Sequence, residues 1–324
     1  MQVITDLTRR PPDPAVLTIG NFDGVHLGHQ QLLETVRERA RALGLPAVVM
    51  TFEPHTRAVV RPLDPLYLVT PLAEKLAVFA QLGLDEAVVI PFSAEFASWD
   101  ARRFLTWVRQ TLPFVELWVG SDFALGHHRT GNTVVLSELG QALGFELRLF
   151  TPIQQEGRVV SSTAIRQALF AGDITQATAA LGRYPAVAGM VVPGARRGRL
   201  LGFPTANLQI APFQALPADG VYATLAVRQS TGQTLPSVTS IGVRPTFGPG
   251  ERLVEVYLLD FAGDLYGERL TVQLVEFLRP QISFPDAAAL IAQMHQDVAR
   301  ARAALALLLA EALSTVNEAS EREA

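Results

Sequence analysis

The sequence predicts an α/β domain built on a doubly wound parallel sheet, followed by an all-β domain, an antiparallel β-barrel with a terminal helix. Short apolar runs alternate with amphipathic helical segments up to about residue 150. Beyond Tyr184-Pro185 the runs become rich in β-branched residues and follow one another without helices between them. A length of 324 residues suits two domains, each able to bury its own core, and the change of character sets expected limits of 1–182 and 183–324.

Ala15–Ile19, a β-branched run bounded by prolines and Gly20, reads as the first strand. Leu32, Leu33, Val36, Ala40 and Leu43 recur behind it at helical spacing. Residues 47–52, 87–90, 117–119 and 146–150 read as further strands. Between them, Thr70 is expected to cap a helix whose first position is Pro71, with Leu72, Leu76, Phe79 and Leu82 on one face. Residues 101–112 make another helix, carrying Phe104, Leu105 and Val108. Right-handed crossovers turn this alternation into a doubly wound sheet, whose ligands bind beyond the carboxyl ends of the strands. In the second domain, residues 187–192, 221–227, 238–243, 254–261 and 270–277 read as strands, and 285–313 as a closing helical region with a polar tail expected to fray.

Composition narrows the function. A hydrophobic content of 49% with 18% charged residues describes a folded chain rather than a disordered one. A formal net charge of −4 argues against a nucleic-acid or membrane partner held by bulk electrostatics. Cysteine is absent, which excludes thiol nucleophiles, disulfides and cysteine-ligated metals. Lys75 is the only lysine, so a Gly-x-x-x-x-Gly-Lys-Ser/Thr loop cannot occur. No apolar run approaches membrane-spanning length, and a cytoplasmic place is expected.

The polar and unusual segments fall where such a sheet binds ligands. Gly20-Asn21-Phe22-Asp23-Gly24-Val25-His26-Leu27-Gly28-His29 joins a strand to a helix, where unpaired backbone N–H groups and the helix dipole favour phosphate. Gly24 and Gly28 let backbone approach the phosphates, and His26 and His29, one turn apart, can donate to oxygens on which charge grows in a transition state. A helix cap or a structural metal is the plainer use of such a pair. Glu53-Pro54-His55, Gly120-Ser121-Asp122-Phe123 and Ser161-Ser162-Thr163-Ala164-Ile165-Arg166 follow other strands. The last of these starts a helix whose terminus, with Arg166, suits phosphate.

A second constellation lies in the all-β domain. Residues 198–208 combine Gly198 and Gly202 with Pro204-Thr205-Ala206-Asn207, and the oxygens of Thr205 and Asn207 suit a hard cation such as Mg²⁺; alone, the segment also reads as a turn. In Leu253-Val254-Glu255-Val256-Tyr257-Leu258 the period of two puts Glu255 and Tyr257 on the face opposite the valines. Facing solvent, that carboxylate has no task; facing the glycine loop, it can take a proton from a hydroxyl attacking a terminal phosphate. Periodicity does not choose between them.

Together these segments resemble the bacterial bifunctional riboflavin kinase/FAD synthetase family over roughly residues 10–300, in the family's order. Gly20–His29, Thr51–His55, Gly120–Gly131 and Ser161–Arg166 resemble its nucleotidyltransferase segments. Residues 198–208, Ser240-Ile241-Gly242-Val243-Arg244-Pro245-Thr246-Phe247 and 254–267 resemble its flavokinase module. The resemblance implies that the first module transfers AMP from ATP to FMN, giving FAD and pyrophosphate, and that the second phosphorylates riboflavin to FMN, both with Mg²⁺. It implies that His26 and His29 stabilise the adenylyl transition state, that Asn21 and Asp23 position nucleotide and metal, and that Arg166 meets phosphate. Gly20, Phe22, Gly24, Gly28, Asp122, Ser161, Ser162 and Thr163 are further binding positions. By the same resemblance Thr205 and Asn207, with Gly198 and Gly202, hold Mg-ATP, Glu255 is the base for the ribityl hydroxyl, and Arg279 occupies a flavin-side position. Ser240 stands where the family commonly has Asn, and Leu125 where a second aromatic usually follows Asp-Phe, so flavin contacts at those two places are not carried over.

Three rivals make different predictions. An adenylyltransferase whose barrel only binds flavin turns over FMN but not riboflavin; Thr205, Asn207 and Glu255 argue against it. A synthetase of the aminoacyl type needs a lysine-bearing mobile loop, and the single lysine and net acidity argue against that. A flavin-storage protein binds flavin without consuming ATP.

Overall fold

A strand covered on both faces reads as a largely apolar run, and Ala15–Ile19 and Ala47–Glu53 are apolar but for Thr18, Thr51 and Glu53: every residue of the first and all but the last of the second are buried. The computed structural model describes residues 1–10, 13–64, 66–151, 160–194, 198, 201–243 and 252–322, and the chain divides into two units, Met1–Ser162 and Thr163–Ala324.

The first unit runs β1 (Gln2–Ile4), β2 (Ala15–Ile19), α1 (Leu27–Leu43), β3 (Ala47–Glu53), α2 (Thr56–Val60), α3 (Leu72–Gln81), β4 (Glu86–Pro91), α4 (Ala94–Ala97), α5 (Ala101–Thr111), β5 (Phe114–Gly120), α6 (Thr133–Leu143) and β6 (Glu146–Phe150). Its strands form one parallel sheet in the order β1-β4-β3-β2-β5-β6. Val16, Val49 and Ala87 face a core made with Leu33 and Val36 of α1 and Phe79 of α3. Leu17, Val48, Met50 and Val88 face the opposite core, with Leu105 and Val108 of α5 and Leu136 of α6. Helices on both faces are what the doubly wound expectation requires. β1 is additional: its three residues, two of them exposed, leave no pattern to read. Thr70 is not the cap of α3; Pro71 holds that position without a side-chain bond, and the Thr70 amide donates instead to Asp23 Oδ1 at 3.1 Å.

The second unit holds α7 (Ser162–Ala171, beginning at the division), α8 (Ile174–Leu181), β7 (Ala186–Val192), β8 (Ala206–Ile210), β9 (Gly220–Arg228), β10 (Thr234–Val243), β11 (Arg252–Leu258), β12 (Arg269–Arg279) and α9 (Ala287–Arg322). The strands close an antiparallel barrel in the order β10-β11-β8-β7-β12-β9. α7 and α8 group with the barrel because the Ala218 amide donates to the Leu169 carbonyl at 2.9 Å and α8 packs on β12. Packing therefore divides the chain at Ser162/Thr163, whereas the change of sequence pattern falls at 182/183; the first follows contacts and the second element type.

One face of β9, with Val221, Ala223 and Leu225, packs with Leu278 against Ala301 and Leu305 of α9. The other face carries Tyr222 and Thr224 inward, where the Thr224 hydroxyl meets Ser237 at 2.7 Å and Thr239 at 2.8 Å, all four residues being inaccessible. β8 decides between an extended segment and a turn at Ala206-Asn207 in favour of the strand, with Ala206 and Leu208 buried and Asn207 and Gln209 not. α9 continues to Arg322, through the stretch read as a fraying tail, where Glu, Ala and Arg favour helix.

Candidate functional site

The chain after β2 makes a turn that few residues tolerate. Phe22 (φ 50°), Gly24 (φ 82°) and Val25 (φ 39°) are all left-handed, and the last is β-branched, an arrangement that persists only where surroundings hold it. Several bonds hold it. The Asn21 carbonyl accepts from Lys75 Nζ at 3.0 Å and from the Thr51 hydroxyl at 3.2 Å. The Asn21 amide donates to Thr56 Oγ1 at 2.9 Å and its oxygen accepts from the Thr56 N–H at 3.2 Å, which joins the turn after β2 to the start of α2. Asp23 is buried; besides the Thr70 amide on its carboxylate, its carbonyl accepts from Ser162 Oγ at 2.8 Å. Gln30 Nε2 closes the turn on the Val25 carbonyl at 2.7 Å.

From this turn α1 starts with His26 as its cap: His26 Nδ1 accepts from the His29 N–H at 3.3 Å. The cap reading of the pair is thus real for His26, and it has a chemical consequence. An accepting Nδ1 leaves the proton on Nε2, so the far side of the ring is a donor. The His26 and His29 rings stack with centroids 3.6 Å apart, and Phe22 sets its edge against His29 at 5.2 Å. Burial, then the neighbouring charges of His26 and Lys75, hold the His29 ring well below the usual imidazole range, so it is neutral at pH 7. His29 Nδ1 is buried without a hydrogen-bond partner. Gly20 underlies the Phe22 ring, where a Cβ would sit 3.1 Å from it. The result is a helix N-terminus presenting two stacked imidazoles, suited to negative charge developing on phosphate.

Of the other expected segments in this unit, His55 caps α2, its Nδ1 accepting from the Arg57 N–H at 3.1 Å. Asp122 is exposed, with its carboxylate turned back toward Gly120, and its carbonyl accepts from Arg129 Nη2 at 3.1 Å. Leu125 pairs with Gly131 across a short bridge. Ser162 is brought to the Gly20–His29 turn, as described; Thr163 and Arg166 belong to the second unit, where Arg166 Nη2 donates to Thr163 Oγ1 at 3.3 Å. Among the described residues no three of His, Asp and Glu gather as a metal cluster.

In the barrel, register makes the arrangement. Asn207 of β8 lies directly opposite Glu255 of β11, and Glu255 directly opposite Ser240 of β10. Directly opposed residues share a face, so the three side chains form a row across three strands. Glu255 and Tyr257 are half-buried, while Val254, Val256 and Leu258 are buried on the other side. The Asn207 side chain lies against Gly194, where a Cβ would come within 2.1 Å of its amide; only glycine permits that approach. A Cβ at Gly198 would be 3.3 Å from Thr205 Oγ1, so each of the two oxygen donors faces a glycine of the preceding segment. Gly202 is left-handed at φ 86°. The donor set of hydroxyl and amide oxygens fits a hard divalent cation. Residues 199–200 and 244–247 of the expected motifs lie outside the described residues.

Three features were not read from the sequence. Phe203 stands edge-on between Tyr257 (5.3 Å) and His295 of α9 (5.0 Å). Gln281 Nε2 donates to Ser240 Oγ at 2.9 Å, occupying the shorter residue's surroundings. Arg279, expected on the flavin side, binds Asp297 of α9 through Nε at 2.9 Å and Nη2 at 2.7 Å, and Gln293 supports the same carboxylate. Its guanidinium is thereby engaged in fastening α9 to β12. Asp297 lies eighteen residues further on, and no local pattern marks the pair.

Known proteins match over most of the chain. A sequence model described as FAD synthetase matches residues 8–164 and one described as riboflavin kinase matches residues 181–305. A bifunctional riboflavin kinase/FMN adenylyltransferase of Pseudomonas fluorescens is 40% identical over 308 residues, covering 94% of this chain and 97% of its own length. One of the same description from Escherichia coli strain K12 is 38% identical over 300 residues, with 92% and 95% covered. Among solved structures, a Streptococcus pneumoniae protein described as a macrolide-efflux protein aligns with a TM-score of 0.82 at 31% identity, over 93% of this chain and 98% of that one. No helix among the described residues is long and apolar enough to cross a membrane.

Proposed function

The chain belongs to the bifunctional riboflavin kinase/FMN adenylyltransferase family, and from that premise we infer two ATP-dependent reactions. Riboflavin and ATP give FMN and ADP; FMN and a second ATP give FAD and pyrophosphate. The observation that carries this reading is the presence of both family matches, in order, on one chain that its relatives cover nearly end to end.

In the barrel, Glu255 takes the proton of the ribityl hydroxyl as that oxygen attacks the γ-phosphorus of ATP. Asn207 beside it and Thr205 hold the nucleotide. ATP chemistry of this family draws on a divalent cation, and the ion proposed here is Mg²⁺ at Thr205 and Asn207, where it offsets phosphate charge when bound. In the first unit the phosphate oxygen of FMN attacks the α-phosphorus of ATP, and pyrophosphate leaves. His26 and His29 donate to the oxygens of that phosphorus, while Asn21, Asp23, Gly24 and Gly28 shape the turn around it. The roles carried over to Asp122, Ser161, Thr163 and Arg166 rest on their motifs alone, as does a barrel module beginning at 183. A cytoplasmic place, with ATP at hand, completes the proposal.

Flavin chromatography after incubation with ATP and Mg²⁺ tests it. His29→Ala is expected to accumulate FMN without FAD; Glu255→Gln is expected to convert supplied FMN but leave riboflavin untouched. If either substitution abolishes both steps in folded protein, the assignment of two separate sites is wrong. If the parent chain converts FMN but never riboflavin, the barrel is a binding module only.

A further inference from the structure

Lys75 has no place in the two reactions as described, yet its surroundings are unusual. It is the chain's only lysine and it is 5% exposed, on the inner face of α3. Burial pulls its ammonium down to about 8, against the opposing pull of Glu53 and Asp23. A charge kept in such a place needs strong partners, and its bonds run to the Asn21 carbonyl and the Thr51 hydroxyl, each at 3.0 Å. The Thr51 hydroxyl in turn donates to the same Asn21 carbonyl. One acceptor therefore collects two donors, immediately before the left-handed Phe22. One bond reaches the start of the turn and the other reaches β3, so the ammonium ties the two together.

We propose that Lys75 is a positioning residue for adenylyl transfer, its ammonium fixing the Asn21 carbonyl and Thr51 hydroxyl so that the strained turn Phe22–Val25 presents His26 and His29 in register with the phosphate. The inference rests on the adenylyl-transfer reading of the first unit. Without the amine, the Asn21 carbonyl keeps one donor and the turn has an easier path to relaxed backbone angles, and the imidazoles move with it. Misplacement of that kind acts on the rate of the step more than on affinity for ATP.

The test compares Lys75→Met and Lys75→Gln with the parent, following FAD formation from FMN and riboflavin phosphorylation in the same full-length preparations. For Lys75→Met, kcat for FAD formation is expected to fall roughly 10- to 100-fold with the KM for ATP nearly unchanged. Riboflavin phosphorylation is expected to stay at the parental rate. Lys75→Gln, which keeps N–H donors without the charge, is expected to recover most of the lost kcat. Parental kcat in Lys75→Met, a loss confined to KM for ATP, or a glutamine no better than methionine would each overturn the inference. Should the methionine variant not fold, the glutamine variant decides: a rate near the parent's supports the role, and a rate collapsed in folded protein removes it. A parent that makes no FAD from FMN overturns both this inference and the reading beneath it, whereas an active parent with an equally active Lys75→Met overturns the inference alone.

Discussion

The Gly20–His29 turn and the Asn207–Glu255–Ser240 row place reactive side chains by different means. In the first, backbone in left-handed conformations is held by bonds from separate stretches of chain, among them Thr51, Thr56, Thr70, Lys75 and Ser162. In the second, three neighbouring strands in antiparallel register do the same task with ordinary backbone. A turn held by individual bonds is vulnerable one bond at a time. A row set by register is vulnerable to whatever loosens the sheet or the helix packed on it, since a slip of one residue turns every side chain to the other face.

The largest effect expected from this contrast is at Arg279. Arg279→Ala leaves the Asp297 carboxylate, 4% exposed, without its cation, and unfolding of the second unit should become easier by about 3 kcal/mol. Denaturant titration followed separately for each unit checks this; an unchanged second transition would show that α9 is held by its apolar face alone. Next, Asn207→Ala should lower riboflavin phosphorylation roughly 10- to 100-fold, with partial recovery at high Mg²⁺ and no change in FAD formation from FMN. Equal loss in both reactions would break the separation between the two arrangements. His26→Ala removes the cap of α1 and should destabilise the first unit by about 1 kcal/mol, while Asn at the same position restores stability but not FAD formation. A further effect shows only as pH is varied. Because His29 titrates well below 6.5 in the folded chain, the unfolded chain binds its proton first as pH falls through 6.5. Stability from this group is therefore present above 6.5 and lost below it, at up to about 1.4 kcal/mol per pH unit, a slope that His29→Gln should remove.

Much of this was legible in the sequence because it is local. The alternation of apolar runs and helical stripes shows the doubly wound sheet, and the pattern Gly20–His29 marks its strand-to-helix turn. The period of two around Glu255 places it with Tyr257. The parts that were not legible depend on distant residues. Nothing near Asn21 announces a lysine 54 positions away, nor does Arg279 announce an aspartate on the next helix. Thr70 and Pro71 form a sound local capping signal, yet the Thr70 amide is claimed by Asp23, so the helix starts one residue later than the signal suggests. β8 was ambiguous for another reason: its polar residues are the ones proposed to work, and such residues also suit a turn.

The interior of the barrel bears on where the flavin and nucleotide proposed for the second unit can go. Six strands enclose too little space for a guest, and Tyr222, Thr224, Ser237 and Thr239 fill it with their own hydroxyls and ring. The barrel is thus a wall and not a vessel, and the proposed kinase reaction belongs on its outside, where the row of Asn207, Glu255 and Ser240 is displayed.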